Sequence, residues 1–368
     1  MSTLLKDVYS PEFYAHFVEV MQEVIPGFDG QRFTRLVFDE AWAGLELKDR
    51  MRHTSRVLHH FLPRPFPEAV PAMLKAIALL REKKMKNFGF ACMFFPDYIE
   101  NFGLEHYDSA VAAMEQVTHF ASCEFAVRPF ILKYGDKMLG QMRAWSEHED
   151  QHVRRLSSEG CRPRLPWAMA LPPLKQDPTP ILPILENLKD DPSEYVRRSV
   201  ANNLNDISKD NPGIALSIFR SWIGQSPETD WVVKHACRTL LKQGRTEAME
   251  LFGYSELEHI SAKNFRILSP EVRIGEALAF AFDLENSGSA PATVRLEYGL
   301  YYRKANGQLS RKVFKISEKG YAPHSASTIE RRQSFRPITT RTFYPGGHEL
   351  SLIINGKEVA KQGFMLLP

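Results

Sequence analysis

Residues 145–167 read W-S-E-H-E-D-Q-H-V-R-R-L-S-S-E-G-C-R-P-R-L-P-W, and the interpretation of the whole chain starts from them. The stretch predicts one helix over Glu147–Glu159, because Gly160 is a typical left-handed helix stop and a proline three residues later prevents continuation. Arg155 and Glu159 are four residues apart, so we expect this cation and this anion to share one exposed helix surface.

A pattern of a ring, a valine and a basic residue at the fourth position recurs along the chain. It occurs at His152–Arg155, Tyr195–Arg198 and Trp231–Lys234, with spacings of 43 and 36 residues. Helical units that recur at such spacings are typical of a HEAT-like α-solenoid, which lines up the polar positions of its repeats along one concave surface. The expected basic stripe consists of Arg155, Arg198, Lys234 and Arg238, with Glu159 at one end. The alternative is that these residues lie on ordinary solvated helix faces.

Composition is that of a folded protein with several domains. The 368 residues allow two or three domains, and 43% hydrophobic with 25% charged residues supports packed cores rather than wholesale disorder. The net charge is only +3, from 47 Lys+Arg against 44 Asp+Glu. Any nucleic-acid site must therefore be a local basic patch.

The cysteines and the first residues indicate the compartment. Cys92, Cys123, Cys161 and Cys237 are far apart, which predicts reduced thiols and neither a zinc site nor a disulfide framework. The N-terminus M-S-T-L-L-K-D lacks the apolar region of a signal peptide, and no apolar run is long enough to cross a bilayer. We therefore expect a soluble, cytoplasmic protein. His148 and His152 are spaced like a metal pair but lack an evident third ligand, so no metal is expected.

Helix signals begin near the N-terminus. Ser10-Pro11-Glu12 predicts a capped helix start, and Asp29 predicts the cap of a second helix with Trp42 on its apolar face. A later helix is expected over 67–84. The basic run within 81–86 could contact phosphate or be a solvated helix end.

A carboxylate in an apolar stretch stands out further along. The pattern predicts a helix over Ser122–Lys133, which Pro129 would kink unless the helix starts later and the proline falls in its first turn. Glu124 lies next to apolar neighbours in this stretch. It is either a structural acid, such as a partner for Arg128 four residues on, or a functional one.

Beyond about residue 255 the hydrophobic period changes from 3.6 to 2. Short alternating segments separated by turn residues predict an immunoglobulin-like β-sandwich without the cysteine–tryptophan–cysteine core of antibody domains. The expected strands are 265–268, 277–284, 294–302, 313–316, 328–332, 349–354 and 362–366. The predicted fold is thus an N-terminal α-solenoid domain over 1–255 and a C-terminal β-sandwich domain over 256–368.

Two segments carry a resemblance to a known family. They are residues 121–131, A-S-C-E-F-A-V-R-P-F-I, and residues 157–167, S-S-E-G-C-R-P-R-L-P-W. Together with the helical region, they make the chain similar to the HEAT-like AlkC/AlkD family of bacterial DNA glycosylases. The C-terminal part resembles the longer AlkC-type members, which carry an immunoglobulin-like domain.

The resemblance implies an enzyme that hydrolyses the N-glycosidic bond of cationic methylated bases in duplex DNA. The expected bases are 3-methylcytosine, 1-methyladenine and 3-methyladenine, removed without full base flipping. Family roles carried onto this sequence make Glu124 and Glu159 catalytic and make Trp167 a contact to the lesion nucleotide. Because a cationic base leaves without a general acid, the carboxylates would stabilise an oxocarbenium-like sugar and orient a water molecule.

The basic residues around this site are expected to hold DNA phosphates. They are Arg154, Arg155, Arg162, Arg164, Arg198, Lys234 and Arg238. The expected partner is double-stranded DNA that contains alkylated bases. We expect no cofactor, no membrane contact, a monomeric state and association with the bacterial nucleoid.

Two other classes of function remain open from sequence. One is a HEAT-repeat scaffold that binds a protein partner, for which neither Glu124 nor Glu159 would matter. The other is a DNA-binding protein that has lost catalysis, which would keep a salt-sensitive affinity for DNA but release no base.

Overall fold

The structure is a computed structural model that describes residues 4–83, 88–254, 258–338 and 341–368. The predicted basic residues Lys84 and Lys86, and the predicted domain boundary at 255/256, lie outside these ranges. The chain forms two compact units. One unit runs up to Ala215 and includes Trp222–Ala236, and the other comprises Leu216–Ser221 and Cys237–Pro368.

The first part of the chain is helical. Its first helices are α1 (Pro11–Val24), α2 (Gly30–Val37), α3 (Leu47–His59), α4 (Phe66–Glu82), α5 (Phe88–Ala91), α6 (Phe94–Phe102), α7 (Tyr107–Val117), α8 (Val127–Tyr134) and α9 (Asp136–Trp145). They are followed by α10 (Gln151–Gly160), α11 (Pro172–Gln176), α12 (Leu182–Asn187), α13 (Glu194–Asp210), α14 (Pro212–Trp222), α15 (Pro227–Ala236), α16 (Arg238–Lys242) and α17 (Thr246–Leu251). Short 3-10 helices occur at Leu5–Val8, Trp42–Gly44 and Thr179–Ile181.

Local capping explains where the first helices begin. The Ser10 hydroxyl accepts a hydrogen bond from the Phe13 backbone N–H at 3.1 Å, and the Asp29 carboxylate accepts one from the Arg32 N–H at 2.9 Å. Both predicted caps are therefore confirmed. Trp42 lies on a short 3-10 helix rather than on α2, so its predicted place was wrong.

Aromatic side chains dominate the core beneath α1. Phe13 and Phe17 are buried, and Phe17 contacts Phe94 edge-to-face at 5.2 Å between ring centroids. None of the helices that the structure describes is long and apolar enough to span a bilayer.

The predicted start of the helix over Ser122–Lys133 was also wrong. α8 begins at Val127, later than Ser122, so Pro129 falls in its first turn and causes no kink. A later helix start was one of the two alternatives predicted from sequence, because proline is tolerated in the first turn of a helix.

All the predicted strands are present, although most are longer than predicted. They are β1 (Ile260–Ile267), β2 (Glu271–Arg273), β3 (Ala277–Asn286), β4 (Ala292–Arg303), β5 (Leu309–Tyr321), β6 (Ser325–Ser334), β7 (Gly346–Ile354) and β8 (Lys357–Leu367). β2 was missed, because three residues are too few to show an alternation.

The strands form two sheets of a sandwich. One sheet has the order β1-β3-β6 and the other has the order β2-β8-β7-β4-β5. Neighbouring strands are antiparallel except for β2 and β8, which are parallel. Alternate residues of β4, such as Leu296 and Leu300, point into a core shared with Phe280 and Phe282 of β3 from the other sheet.

Candidate active site around Glu159

Glu159 lies near the C-terminal end of α10 and is only 5% exposed. α10 begins at Gln151, because the Asp150 carboxylate caps it by accepting a hydrogen bond from the His152 N–H at 2.7 Å. The predicted start at Glu147 was therefore wrong. Gly160 is the last residue of the helix and not a left-handed stop after it.

α13 packs against α10 through polar side chains. The Ser158 hydroxyl donates to the Ser199 hydroxyl at 2.7 Å, and the Asn203 amide donates to the Ser158 carbonyl at 2.8 Å. All three side chains are buried. This second helix covers the end of α10, so the expectation that Glu159 lies on an exposed surface was wrong.

Arg155 connects the two predicted catalytic carboxylates. Its Nη1 donates to Glu124 Oε2 at 2.7 Å and to the Ser122 hydroxyl at 3.0 Å. Its Nη2 lies 3.8 Å from Glu159 Oε1. Glu124 is thus paired with Arg155 and not with Arg128, which corrects the sequence-based pairing. The structure brings Glu124 and Glu159 to opposite sides of one guanidinium.

Arg162 holds Glu159 from the turn after α10. Its Nη1 donates to Glu159 Oε1 at 2.6 Å, and its Nε donates to Asp206 Oδ2 at 2.9 Å. The Arg162 side chain is buried with its partners, and Lys209 adds a contact to Asp206 at 2.8 Å. The result is an alternating chain of charges that runs from Glu124 to Asp206.

The two arginines of this cluster remain cations. Burial by itself lowers the pKa of Arg155 and of Arg162, but the neighbouring carboxylates outweigh burial and raise both pKa values. Each guanidinium is therefore a fixed positive group that orients the Glu159 carboxylate. Among the described residues, both arginine contacts are made by Oε1 of Glu159, and no donor reaches Oε2.

Arg128 fixes the turn that carries Arg162. It is fully buried, and its Nη1 donates to the carbonyl oxygens of Gly160 and Arg162 at 2.8 Å each. Its Nε donates to the Met169 carbonyl at 2.6 Å. Burial lowers its pKa to about 10. Arg128 had no predicted role beyond a pairing with Glu124, although an arginine within an apolar helix start is a signal of such a clamp.

Trp167 lies further along the same turn with 57% of its surface exposed. Its backbone is left-handed, with φ of 67°, and its carbonyl accepts a hydrogen bond from Lys48 Nζ at 2.6 Å. Tyr195 at the start of α13 is also exposed, and the Arg155 guanidinium lies 4.6 Å from its ring centroid. Aromatic faces are therefore presented to solvent near the acid–arginine cluster.

The other predicted phosphate ligands differ in how they are held. Arg154 makes a two-pronged ion pair with the buried Asp191, at 2.6 and 3.1 Å. Arg164 pairs with Asp210 at 2.6 Å, and the exposed Arg198 pairs with Glu194. Lys234 lies on α15 in the first unit, and Arg238 begins α16 in the second unit. The phosphate role of all these residues stays a prediction.

The structure holds further groups that sequence reasoning did not select. Asp206, Ser199 and Asn203 all come from α13 and surround the end of α10. They were missed because contacts of α13 with α10 span more than 40 residues of sequence. The four cysteines are buried and form no disulfide. Within the described ranges, no group of three histidine, cysteine or acidic side chains is placed to hold a metal ion.

The fold and the site define a class of protein: a helical-repeat unit with buried carboxylates held by arginines, together with an immunoglobulin-like sandwich. The sequence model of the family described as "DNA alkylation repair enzyme" matches residues 70–249. A second model, described as "Uncharacterised protein YhaZ, C-terminal Ig-like domain", matches residues 261–368.

Two proteins are similar over nearly the whole chain. The "Uncharacterized protein YhaZ" of Bacillus subtilis (strain 168) is 43% identical over 96% of this chain and 96% of its own length. The alkylpurine DNA glycosylase AlkC of Pseudomonas fluorescens, solved bound to DNA containing an abasic-site analogue, is 35% identical with a TM-score of 0.94 and covers 100% of both chains.

The chain belongs to the DNA alkylation repair enzyme family, in the group that includes AlkC. The predicted fold class, an α-solenoid of HEAT-like repeats and an immunoglobulin-like β-sandwich, is confirmed. The prediction of a DNA glycosylase is confirmed as well.

Proposed function

We propose that this enzyme hydrolyses the N-glycosidic bond of cationic alkylated bases in duplex DNA, with Glu159 and Glu124 as its catalytic carboxylates. The observation that carries the proposal is the buried Glu159 carboxylate. It is fixed by Arg155 and Arg162 at the base of the turn that presents Trp167. The abasic-site DNA bound to the Pseudomonas AlkC supports DNA as the partner of this chain too.

The chemistry follows from the charge of the substrate. A methylated base that carries a positive charge leaves as a neutral base, so the bond between C1′ and nitrogen breaks without a proton donor. Positive charge then develops on the sugar, where a nearby carboxylate stabilises it most effectively in a site shielded from water. Water adds to C1′ and loses a proton, which a carboxylate can accept.

The hydrogen bonds leave each carboxylate with one oxygen for this task. Arg155 and Ser122 both donate to Oε2 of Glu124, and among the described residues no donor reaches its Oε1. Glu159 is held in the same manner, with both arginine contacts on Oε1. One oxygen of each acid therefore fixes its orientation, while the other can face the sugar or the attacking water.

Trp167 is proposed as the contact to the lesion nucleotide. Its exposed indole offers a π-face, which attracts a cationic base more than a neutral one. Such a contact favours charged lesions without requiring a closed pocket, which supports 3-methylcytosine, 1-methyladenine and 3-methyladenine as substrates. It also supports recognition without full base flipping.

The proposed phosphate ligands are Arg154, Arg155, Arg162, Arg164, Arg198, Lys234 and Arg238. Of the paired arginines, Arg164 and Arg198 are the most exposed, and ion pairs in water contribute only about 0–1 kcal/mol, so a phosphate can displace their partners. Arg154, Arg155 and Arg162 have buried or half-buried carboxylate partners. They would have to break stronger pairs to bind phosphate. We further propose that the enzyme acts as a monomer in the bacterial cytoplasm.

Base release from duplex DNA with a single 3-methylcytosine tests the proposal. We expect Glu159→Gln and Glu124→Gln to lose roughly two orders of magnitude or more in the single-turnover rate, the scale of one electrostatic stabiliser. Glu12→Gln is the matched control, because this acid is exposed on α1 and lies outside the candidate site. Its rate should equal that of the wild type.

Thermal melting of each variant separates lost chemistry from lost folding, and Glu124, the less buried acid, is the safer substitution. Full activity of both variants would exclude these acids as catalytic residues. A wild-type protein that binds DNA but frees no base from any cationic lesion would overturn the enzymatic proposal. A non-catalytic HEAT-repeat scaffold that binds DNA or a protein partner is the function that would then remain.

A further inference from the structure

Helix α3 carries a row of cations that the proposed function does not use. Lys48, Arg52 and Arg56 are spaced by four residues, so they lie along one side of the helix. Arg52 and Arg56 are exposed, and Lys48 is half-buried. This α3 row lies outside residues 70–249, the part of the chain that matches the DNA alkylation repair family model.

The α3 row has little carboxylate to neutralise it. The nearest acid contact is between Arg52 Nε and Asp97 Oδ1, at 3.9 Å, which is too long for a hydrogen bond. Among the described residues, no carboxylate oxygen comes within 4.0 Å of the Lys48 ammonium or the Arg56 guanidinium. By contrast, Arg154, Arg155 and Arg162 each have an acidic partner.

Two acids of α6 that interact with the row, Asp97 and Glu100, offset its charge only in part. Burial raises the pKa of Asp97. Burial, followed by the charge of Asp97, raises the pKa of Glu100 to about 7. At neutral pH a substantial fraction of Glu100 is therefore protonated. The row therefore keeps a net positive charge, and its two arginines are exposed to solvent.

The row is tied to the candidate site by a direct contact. Lys48 Nζ donates to the Trp167 carbonyl at 2.6 Å, so the first cation of the row lies beside the residue proposed to contact the lesion. The eight residue steps from Lys48 to Arg56 span about 12 Å of helix. One DNA strand carries a phosphate roughly every 3.4 Å along the duplex axis, so this length matches about three to four nucleotides.

We propose that Lys48, Arg52 and Arg56 form a phosphate-binding row that holds the sugar–phosphate backbone of duplex DNA beside Trp167. The inference rests on the proposed function in that it takes DNA as the partner. It adds a binding surface in the first 69 residues. An aromatic side chain can contact one nucleotide in register only if the neighbouring backbone is held, and three cations along one helix supply that hold without reading sequence.

The test is the salt dependence of DNA affinity, measured by fluorescence anisotropy with a short labelled duplex that contains an abasic-site analogue. Each phosphate contact contributes about 0.9 to the slope of log affinity against log salt concentration. We expect Arg52→Gln and Arg56→Gln each to lower the slope by roughly this amount, and the double variant by about twice as much. Arg52→Lys and Arg56→Lys keep the charge and should keep the slope.

Lys75→Gln is the matched control, because it removes one positive charge from an exposed position on α4 outside the row. It should leave the slope unchanged. A double variant with the wild-type slope, or one no different from Lys75→Gln, would overturn the proposal. Substitution of exposed side chains should not unfold the protein, and thermal melting checks this.

Base release from the 3-methylcytosine duplex separates this proposal from the proposed function. The double variant should need severalfold more protein for half-maximal single-turnover release, while its maximal rate stays within about threefold of the wild type, since Arg52 and Arg56 are proposed to bind phosphates and not to act on the reacting atoms. If the wild type frees no base but its DNA affinity depends on the row, the glycosylase proposal fails and the row stands. If base is freed and the salt slope does not change in the row variants, the proposed phosphate-binding row fails and the glycosylase proposal stands.

Discussion

At the scale of single residues, Glu100 shows how folding changes an acid near the α3 row. Burial and the charge of Asp97 raise its pKa to about 7, although Arg52 and Lys48 lower it. The folded protein therefore binds a proton that the unfolded chain has already released between pH values of about 4.5 and 7. This proton binding stabilises the folded state fully below a pH of about 4.5. The stabilisation is lost as pH rises through about 7.

Glu100→Gln should remove this pH dependence. We expect the variant to have the same free energy of unfolding as the wild type near pH 4.5, and to be more stable at pH 8 by up to about 3 kcal/mol. Urea denaturation at both pH values measures the difference. Acids that do not interact with Glu100 titrate equally in both proteins, so an equal difference at the two pH values would contradict the assigned cause.

The sequence predicted which residues form the candidate site better than it predicted their burial and their partners. The type and position of Glu124 and Glu159 follow from the resemblance, but the sequence predicted an exposed Glu159 and offered Arg128 as one structural partner for Glu124. Both errors have one cause. The partners that decide the environment are Arg155, 31 residues from Glu124, and Asp206, 44 residues from Arg162, and local periodicity carries no information about contacts at that distance.

At the scale of elements, Gly160 permits the close packing on which the candidate site depends. A Cβ atom at this position would lie 2.4 Å from Val127 Cγ1 of α8 and 3.2 Å from Met142 Cε of α9. A glycine is needed here for space and not for a left-handed backbone, since its φ is not positive. Glu159 is the adjacent residue of α10, so a shift of the helix at Gly160 would also move its carboxylate.

Gly160→Ala should destabilise the fold by about 1–3 kcal/mol, the usual cost of overpacking, and should slow base release by displacing Glu159. Gly140→Ala is the control within α9. Its Cβ would meet nothing within 4 Å, so alanine should stabilise by about 0.5–1 kcal/mol. Chemical denaturation and single-turnover base release measure the two effects. Equal stability of the two variants would show that α10 can move away from α8 at no cost.

Element types were predictable where the side chains repeat with a clear period. The caps at Ser10 and Asp29 and the alternating strands of the sandwich follow from local chemistry alone. The start of α10 did not, because Ser146 and Asp150 are both acceptable caps by sequence. The structure selects Asp150, whose carboxylate also lies 3.5 Å from Nδ1 of His119.

At the scale of the whole molecule, the change of period near residue 255 placed the sandwich correctly but not everything that packs with it. The compact unit that contains the sandwich also includes α16 and α17. On β4, Arg295 and Glu297 point away from the sandwich core and are nevertheless buried. Arg295 Nη2 donates a hydrogen bond to Glu297 Oε1 at 2.6 Å. A strand that is buried on both faces must be covered by something outside the two sheets.

The chain between α16 and the sandwich supplies that cover. Met249 of α17 is buried, and its Cε lies 2.7 Å from the Cβ position of Gly356, in the turn between β7 and β8. The Tyr254 hydroxyl is hydrogen-bonded to Glu318 of β5, a contact that together with burial raises its pKa. These contacts predict that α16 and α17 fold with the sandwich, so the boundary at 255/256 would cut through one folding unit.

Limited proteolysis of the intact chain, followed by mass spectrometry, tests this boundary. We expect the resistant C-terminal core of the wild type to begin before Arg238 and thus to retain α16 and α17. Met249→Ala removes a buried side chain worth about 2–4 kcal/mol and should release α17, so the core should shorten to start beyond Tyr254. Met365→Ala is the control, because this methionine of β8 is 42% exposed and its loss should leave the cleavage pattern unchanged. A wild-type core that already begins after Tyr254 would contradict the assignment. The burial of Arg295 and Glu297 would then need another cover.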